Sequence, residues 1–304
     1  MDKSILVVGS LAFDSITTVK GRVREILGGS AVHFSLAASN LAKVRLVGVV
    51  GTDFGGHHRR LLCSRGVDIS GLEVMDGDTF RWVGSYDKDF NSAQTICTKL
   101  NVFEKFSPKL GELHRNSGAV FLANINPELQ LDVLSQVRKP RFTACDTMNL
   151  WINNKKAALA RLLARVDISF MNEDELRLYS GEYNLIKAAR YAMKRGPSVL
   201  VVKRGSNGAM LFADHKCVVS LPAFPIEDVV DTTGAGDSFA GGFIGYLASA
   251  SGRMDTAKLK KAMAYGTVVS SFNVQGFGIK KTASLSKGEL SKRLKEYCGA
   301  LDIC

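Results

Sequence analysis

The strongest constraint on this chain is a repeated alternation of two periodicities. Short apolar runs rich in β-branched residues fall at 5–9, 45–50, 120–123, 142–146, 167–171 and 199–203. Between them, apolar residues recur at helical spacing over 30–41, 57–64, 129–137, 155–165, 173–179 and 185–194. The runs are almost continuously apolar, as in strands covered on both faces. Strand and helix in turn predict an α/β fold, a three-layer sandwich with a mainly parallel central sheet between helices and right-handed crossovers. Ligands of such a sheet gather beyond the carboxyl ends of the strands, so the residues ending each run are the first candidates for chemistry.

Residues 15–19, 79–86 and 93–100 break the rhythm by alternating polar with apolar side chains, the pattern of strands with one wet face. They predict a small β-sheet lid, inserted over 14–26 and 78–101; the alternative is an antiparallel extension of the main sheet. A chain of 304 residues, 46% hydrophobic and 23% charged, buries a large core. With no internal repeat, low-complexity tract or long linker, one domain over 1–304 is expected.

The formal charge of +11 favours polyanions. Much of it lies late, at Lys258, Lys260, Lys261, Lys280, Lys281, Lys287, Lys292, Arg293 and Lys295, at amphipathic helical spacing. That reads as a solvated helix face, or as a field drawing in small phosphorylated ligands. Without aromatic-basic interleaving or a recognition motif, no nucleic-acid partner is expected. No window reaches the roughly 18 uninterrupted apolar residues of a membrane span, and MDKSILVVGS enters a strand-like run rather than a secretory signal. A cytoplasmic protein with no membrane partner is expected. Cys63, Cys97, Cys145, Cys217, Cys298 and Cys304 lie far apart without a CxxC pair, and the histidines lack zinc-ligand spacing. They are read as reduced, mostly structural thiols.

The chemistry concentrates in residues 229–243, VVDTTGAGDSFAGGF. Phe239, Phe243 and Leu247 share one helical stripe, which puts Gly234, Ala235 and Gly236 at a helix N-terminus. Free N–H groups and the positive end of the helix dipole make an anion site there. Asp237 in the first turn is either an ordinary dipole-favoured acid or a general base beside a bound anion. The glycines favour the second reading, because a cap needs no GAG whereas a phosphate needs close backbone approach. A base beside an anion hole suits phosphoryl transfer to a hydroxyl. The chain has no GxxxxGK[ST], and GAGDSF lacks the last glycine of GxGxxG, so neither the P-loop nor the dinucleotide fingerprint applies.

DTTGAGDSFAGGF resembles the C-terminal signature of the ribokinase-like (PfkB) carbohydrate kinase family, and LGGSAVHFSLAASNLA, residues 27–42, resembles its N-terminal signature. The resemblance implies an ATP-dependent kinase with a Rossmann-like domain and a β-sheet lid, acting on a small-molecule sugar or nucleoside. Asp237 would be the base, and the backbone of Gly234, Ala235 and Gly236 the anion hole. MNEDE matches an N-x-x-E motif as Asn172 and Glu175, which would orient magnesium and phosphate largely through water; the alternative is a helix N-cap with first-turn acids. VVKRGSNGAMLF resembles the strand-turn-strand beneath the nucleotide, placing Lys203, Gly205 and Gly208 near the phosphates or ribose, unless it is a plain hairpin. Asp231 and Thr233 resemble a loop that binds a monovalent cation, such as potassium, in many members.

The acceptor is expected near Asp14, Gly28 and Gly29. A carboxylate can accept from two neighbouring hydroxyls, and the paired glycines admit a ligand to the backbone. Asn124 and Asn149 are further pocket candidates, although Trp151 stands where the family often has a basic neighbourhood. GGSAVHF, with Ser30 and His33, replaces the GGKGAN-type stretch of ribose-binding members, which makes ribose itself a poorer fit. Phe80, Trp82 and Tyr86 offer flat surfaces to a nucleobase, or pack the lid, or form a lid-mediated homodimer in place of a monomer. The reading is therefore an ATP- and Mg²⁺-dependent kinase of a sugar hydroxymethyl group. A nucleoside kinase is the alternative, and a non-catalytic nucleotide-binding or regulatory protein the rival from another class.

Overall fold

The computed structural model describes residues 2–88, 90, 93–194 and 196–302. In chain order the strands are β1 (Ile5–Val8), β2 (Ala12–Thr18), β3 (Gly21–Gly28), β4 (Val44–Gly51), β5 (Val67–Met75), β6 (Phe80–Tyr86), β7 (Ala93–Lys99), β8 (Ala119–Leu122), β9 (Phe142–Asp146), β10 (Ile168–Asn172), β11 (Val199–Lys203), β12 (Ala209–Ala213) and β13 (Lys216–Leu221). Nine of them form one sheet in the order β13-β12-β11-β10-β9-β8-β1-β4-β5. It is parallel from β5 to β11 and closes with the antiparallel β12 and β13.

Strand alternation divides the core. Ile5 and Val7 of β1 enter one apolar cluster, Leu6 and Val8 the other, because successive side chains point to opposite faces. The first face is covered by helices Ser30–Ala38, Ala235–Ser249, Thr256–Asn273 and Lys287–Leu301, the second by Pro127–Gln136, Lys156–Leu163, Glu173–Ser180 and Leu185–Met193. Phe34 of the first helix stacks on Phe121 of β8 with centroids 4.0 Å apart, and Phe243 meets Phe170 of β10 edge-on at 5.4 Å. Each such pair adds about 1 kcal/mol to the burial of its rings. Chain order reverses at β1, which has β4 on one side and β8 on the other, and the crevice of an open α/β sheet forms at such a point.

The remaining strands make the lid, in the order β3-β2-β6-β7, with a parallel β2–β6 pair between two antiparallel ones. The 14–26 segment is two strands of a hairpin rather than one. Its second strand, GRVREILG, is exposed over most of its length, so it carries no apolar periodicity to read. The edge strands β5 and β13 also escaped the sequence pattern, since each is largely half-buried or exposed and has only one fully buried residue, Val67 and Leu221. Residues 89, 91 and 92 of the predicted lid segment, and Cys304, lie outside the described residues. Cys63, Cys97, Cys145 and Cys217 are free thiols, whereas Cys298 is disulfide-bonded, a correction to the expectation of reduced thiols. Among the described residues no helix is long and apolar enough to cross a membrane.

Candidate active site

The site is assembled from strand ends. β1 runs into β2, which carries Asp14, and the hairpin returns through β3 to Gly28 and Gly29. Asp14 is buried, and a Cβ on Gly28 would lie 1.9 Å from its Oδ2. Gly29 sits at φ 96°, where a Cβ would come within 2.5 Å of the Ser10 carbonyl oxygen. Gly28 is thus demanded by close approach, and Gly29 by close approach and backbone conformation together. Ser30, one of the departures in the sequence, fastens this joint: its N–H donates to Ser10 Oγ at 3.1 Å, and the two hydroxyls lie 3.0 Å apart.

Asp146 ends β9, Asn172 ends β10 and Lys203 ends β11. Lys203 Nζ donates to Asp146 Oδ2 at 2.6 Å, and a Cβ on Gly236 would lie 3.1 Å from the same ammonium. Lys203 therefore stands beside the glycine turn. Asn172 and Glu175 form a reciprocal capping box on helix Glu173–Ser180, with Asn172 Oδ1 accepting from the Glu175 N–H at 2.8 Å and Glu175 Oε2 from the Asn172 N–H at 2.7 Å. Gly205 and Gly208, at φ 54° and 83°, shape the turn between β11 and β12. Asn124 Oδ1 accepts from the Trp151 indole N–H at 2.9 Å, so the unexpected tryptophan orients an asparagine at the end of β8. Asn149 is exposed, and its side-chain oxygen accepts from the Leu150 N–H.

The glycine turn runs from Asp231 into helix Ala235–Ser249, which begins at Gly234 with φ 71° and no side-chain cap. Asp231 is fully buried; its oxygens accept the N–H groups of Thr233 and Gly278, each at 2.8 Å. The Ala235 N–H donates to the Thr232 carbonyl at 3.1 Å. Among the described residues the N–H groups of Gly236 and Asp237 have no partner, and nothing hydrogen-bonds the Asp237 carboxylate. The lid reaches this turn: Thr233 Oγ1 donates to Tyr86 Oη at 3.1 Å, and Thr232 Oγ1 to the Phe90 carbonyl at 2.9 Å. Of the other lid aromatics, Phe80 stacks on Phe103 at 5.6 Å, and the Trp82 indole donates to Thr95 Oγ1.

Electrostatics show how closely these groups converge. Burial pushes the Asp237 carboxyl up to about 8, with Asp146, Asp14 and Glu175 adding to the rise and Lys203 opposing it. Burial also lifts Asp14 to about 7, opposed by the Gly29 N–H, and Glu175 to about 7, opposed by Lys203. For Lys203 burial works against the charge, but Asp146, Glu175 and Asp237 outweigh it and its pKa is raised. The result is an unpaired carboxylate beside open amides and a fixed ammonium, which can take a proton and hold an anion. Among the described residues no cluster of three or more His, Cys, Asp or Glu could hold a metal ion by itself.

Asp146 was given no site role from the sequence, although a carboxylate closing a mainly apolar strand, FTACD, at its carboxyl end was the available signal. Asn273 was also missed, and His33 stood out only as a departure in the acceptor stretch, not as a neighbour of the glycine turn. His33 lies against Gly234, where a Cβ would fall 2.1 Å from its Nδ1, and Asn273 Nδ2 donates to the Thr233 carbonyl at 2.8 Å. They reach the turn from distant helices, and no local pattern ties either to it.

Nearly the whole chain is similar to known kinases. The chain is 30% identical over 246 residues to a cytidine kinase of Thermococcus kodakarensis, covering 79% of this chain and 87% of that protein. It is 29% identical to a nucleoside kinase of Methanothermobacter thermautotrophicus, covering 98% and 97%. The nucleoside kinase structure from Methanocaldococcus jannaschii, described as an archaeal member of the ribokinase family, shares the fold with a TM-score of 0.78 at 23% identity, over 97% of this chain and 98% of that one. The adenosine kinase structure from Sinorhizobium meliloti gives 0.79 at 18%, over 95% and 98%. The pfkB family carbohydrate kinase model matches residues 2–284, and the chain belongs to that family, as a phosphotransferase with a hydroxyl acceptor.

Proposed function

We propose that this protein transfers the γ-phosphoryl group of ATP to the hydroxymethyl group of a nucleoside. The observation that carries the nucleoside over the free sugar first expected is a register. Asp14 of β2 pairs with Trp82 of β6 on the parallel strand beside it, so a carboxylate suited to ribose hydroxyls and a flat indole share one lid face. A free sugar gives the indole no planar base to cover. The relatives named cytidine kinase and nucleoside kinase support the same choice.

In this reading Asp14 accepts from two acceptor hydroxyls while the Gly28–Gly29 backbone admits the sugar. Asp237 takes the proton of the attacking hydroxyl. The acceptor's hydroxyl oxygen then bonds to the γ-phosphorus as the bond to the departing ADP oxygen breaks. The open N–H groups of the glycine turn and Lys203 carry the charge on the transferring group. Gly205 and Gly208 let the β11–β12 turn approach the nucleotide. The donor set fits a magnesium ion carried mainly by nucleotide phosphates and water, with Glu175 and Asn172 beyond the water, since one Glu175 oxygen is already committed to its cap. Such an ion neutralises phosphate charge. Asp231, with both oxygens on amides, shapes the loop.

The test is a panel of nucleosides and free sugars assayed with ATP and magnesium, with product mass measured. A nucleoside should exceed every free sugar in kcat/KM by about 10²-fold, the scale of one lost stacking and hydrogen-bonding group. A pentose or hexose equal to the best nucleoside would end the nucleoside reading, and ATP binding with no phosphorylated product would favour a non-catalytic protein.

A further inference from the structure

The turn that bears the open amides is held by residues outside its own helix. Asn273, fully buried at the end of helix Thr256–Asn273, reaches both sides of it. Its Nδ2 donates to the Thr233 carbonyl at 2.8 Å, just before the glycine turn, and its Oδ1 accepts from Ser238 Oγ at 3.0 Å, just after Asp237. Because the amide nitrogen faces a carbonyl, the oxygen is the atom that faces His33, whose Nδ1 lies 3.1 Å away. That oxygen has no hydrogen to give, so Nδ1 is the donor. This fixes the tautomer.

His33 Nε2 is then a bare acceptor. It is buried and, among the described residues, without a partner, in a residue that is 1% exposed, and burial favours the neutral ring by lowering its pKa. An unpaired buried acceptor is a standing cost, which an apolar side chain at this position would avoid. The ring also lies flat against the turn: a Cβ on Gly234 would fall 2.1 Å from Nδ1 and 2.2 Å from Cγ. Gly234 is thus required twice, by its φ of 71° and by the imidazole pressed on it.

We propose that His33 is a positioning residue. Through its Nδ1–H donation to Asn273 and its contact with Gly234, it clamps residues 233–238 and fixes the directions of the open amides and the Asp237 carboxylate. The effect on turnover rests on the kinase reading above; the clamp itself does not.

The test uses the full chain and two readouts. His33→Leu removes the donor, whereas His33→Asn keeps an N–H at about the place of Nδ1. Amide hydrogen exchange over residues 229–243 is measured without ligand, and kcat and KM for ATP are measured with cytidine, adenosine and inosine as acceptors. In His33→Leu, exchange across the turn should rise about tenfold, and kcat should fall about 30-fold, since small misplacements of reacting groups cost 10- to 100-fold. KM for ATP should stay within about twofold, and His33→Asn should restore both readouts to within about threefold of wild type. If His33→Leu does not fold, Asn273→Asp, which replaces the donor to Thr233 with an acceptor oxygen while leaving Oδ1 to His33 and Ser238, should show the same loosened exchange. Wild-type exchange in His33→Leu, or His33→Asn as loose as His33→Leu, overturns the clamp. Full turnover in His33→Leu beside an inactive Asp237→Asn likewise overturns it and leaves the kinase reading standing. If wild type phosphorylates none of the acceptors, the kinase reading fails and the exchange comparison alone decides the clamp.

Discussion

Two helices begin at this crevice, and they begin in opposite ways. Helix Glu173–Ser180 is closed by its own sequence: Asn172 and Glu175 satisfy each other's N–H groups in a capping box. Helix Ala235–Ser249 starts at a left-handed glycine with no side-chain cap, and among the described residues the N–H groups of Gly236 and Asp237 stay open. Both carry acids in the first turn, and both stretches read from sequence as phosphate or metal handlers. The difference lies in what each acid is already doing. Glu175 has committed one oxygen to a backbone amide, whereas the Asp237 carboxylate has no hydrogen-bond partner among the described residues. An uncapped helix start held from outside is available for chemistry; a self-capped one is mainly available for stability.

Asp237→Asn should produce the largest effect. It keeps the shape and removes the base, so kcat should fall by about 10²-fold or more with KM for ATP within about threefold; unchanged turnover would assign Asp237 to the bland role that Glu175 plays. The pH dependence follows from the same carboxyl. Its folded pKa of about 8 lies far above its ordinary 3.8, so the folded protein binds this proton more tightly than the unfolded chain. The resulting stabilisation is complete below the unfolded value and disappears as pH rises through about 8. The ligand-free protein should therefore melt lower at pH 9 than at pH 6, and Asp237→Asn should shrink that drop by about 2–4 °C. In the free enzyme, kcat/KM should climb with pH through the same ionisation. A flat profile, together with equal melting shifts in both proteins, would contradict the buried, unpaired base.

Gly234→Ala comes next, because it attacks the open helix start without touching a reacting group. The alanine must adopt a left-handed backbone and displace the His33 ring. Strain of that kind costs about 1–3 kcal/mol, and kcat should fall about tenfold or more through displaced amides. A variant that melts lower but keeps full turnover would show that the turn's geometry is not what the amides depend on.

Much of this contrast was legible before the structure. The apolar runs ended where the sheet ends, so Lys203 and Asn172 fell at the carboxyl edge as expected, and GAG predicted a helix start with unfilled donors. The MNEDE stretch was legible in chemistry but ambiguous in role, since a capping box and a metal-orienting pair share the same spacing. The clamp was not legible. His33 and Asn273 are 240 positions apart, and each sits on a helix whose periodicity reports only that it is buried. Tyr86 stood out as an aromatic surface, yet its hydroxyl meets Thr233, and that contact depends on how the lid sheet folds over the body. Local pattern reveals what a segment can be; which distant side chain completes it is decided by packing.

The smallest effects belong to the self-capped helix, and there one pair of substitutions separates its two readings. Asn172→Ala removes the side-chain cap and should cost about 1 kcal/mol, the usual loss for an asparagine cap, lowering Tm by about 2–4 °C while kcat stays within about threefold. Glu175→Gln behaves differently, because a glutamine oxygen can still accept the Asn172 N–H and preserve the box. It removes only the charge, which burial has already pushed up to about 7, so the melting point should hold or rise at pH 8. If that charge helps place magnesium through water, Glu175→Gln should need several-fold, up to about tenfold, more magnesium for half-maximal turnover. An unchanged magnesium requirement in Glu175→Gln, alongside the expected loss of stability in Asn172→Ala, would reduce this helix start to a cap. Glycine-turn catalysis would then rest on Asp237, Lys203 and the open amides without it.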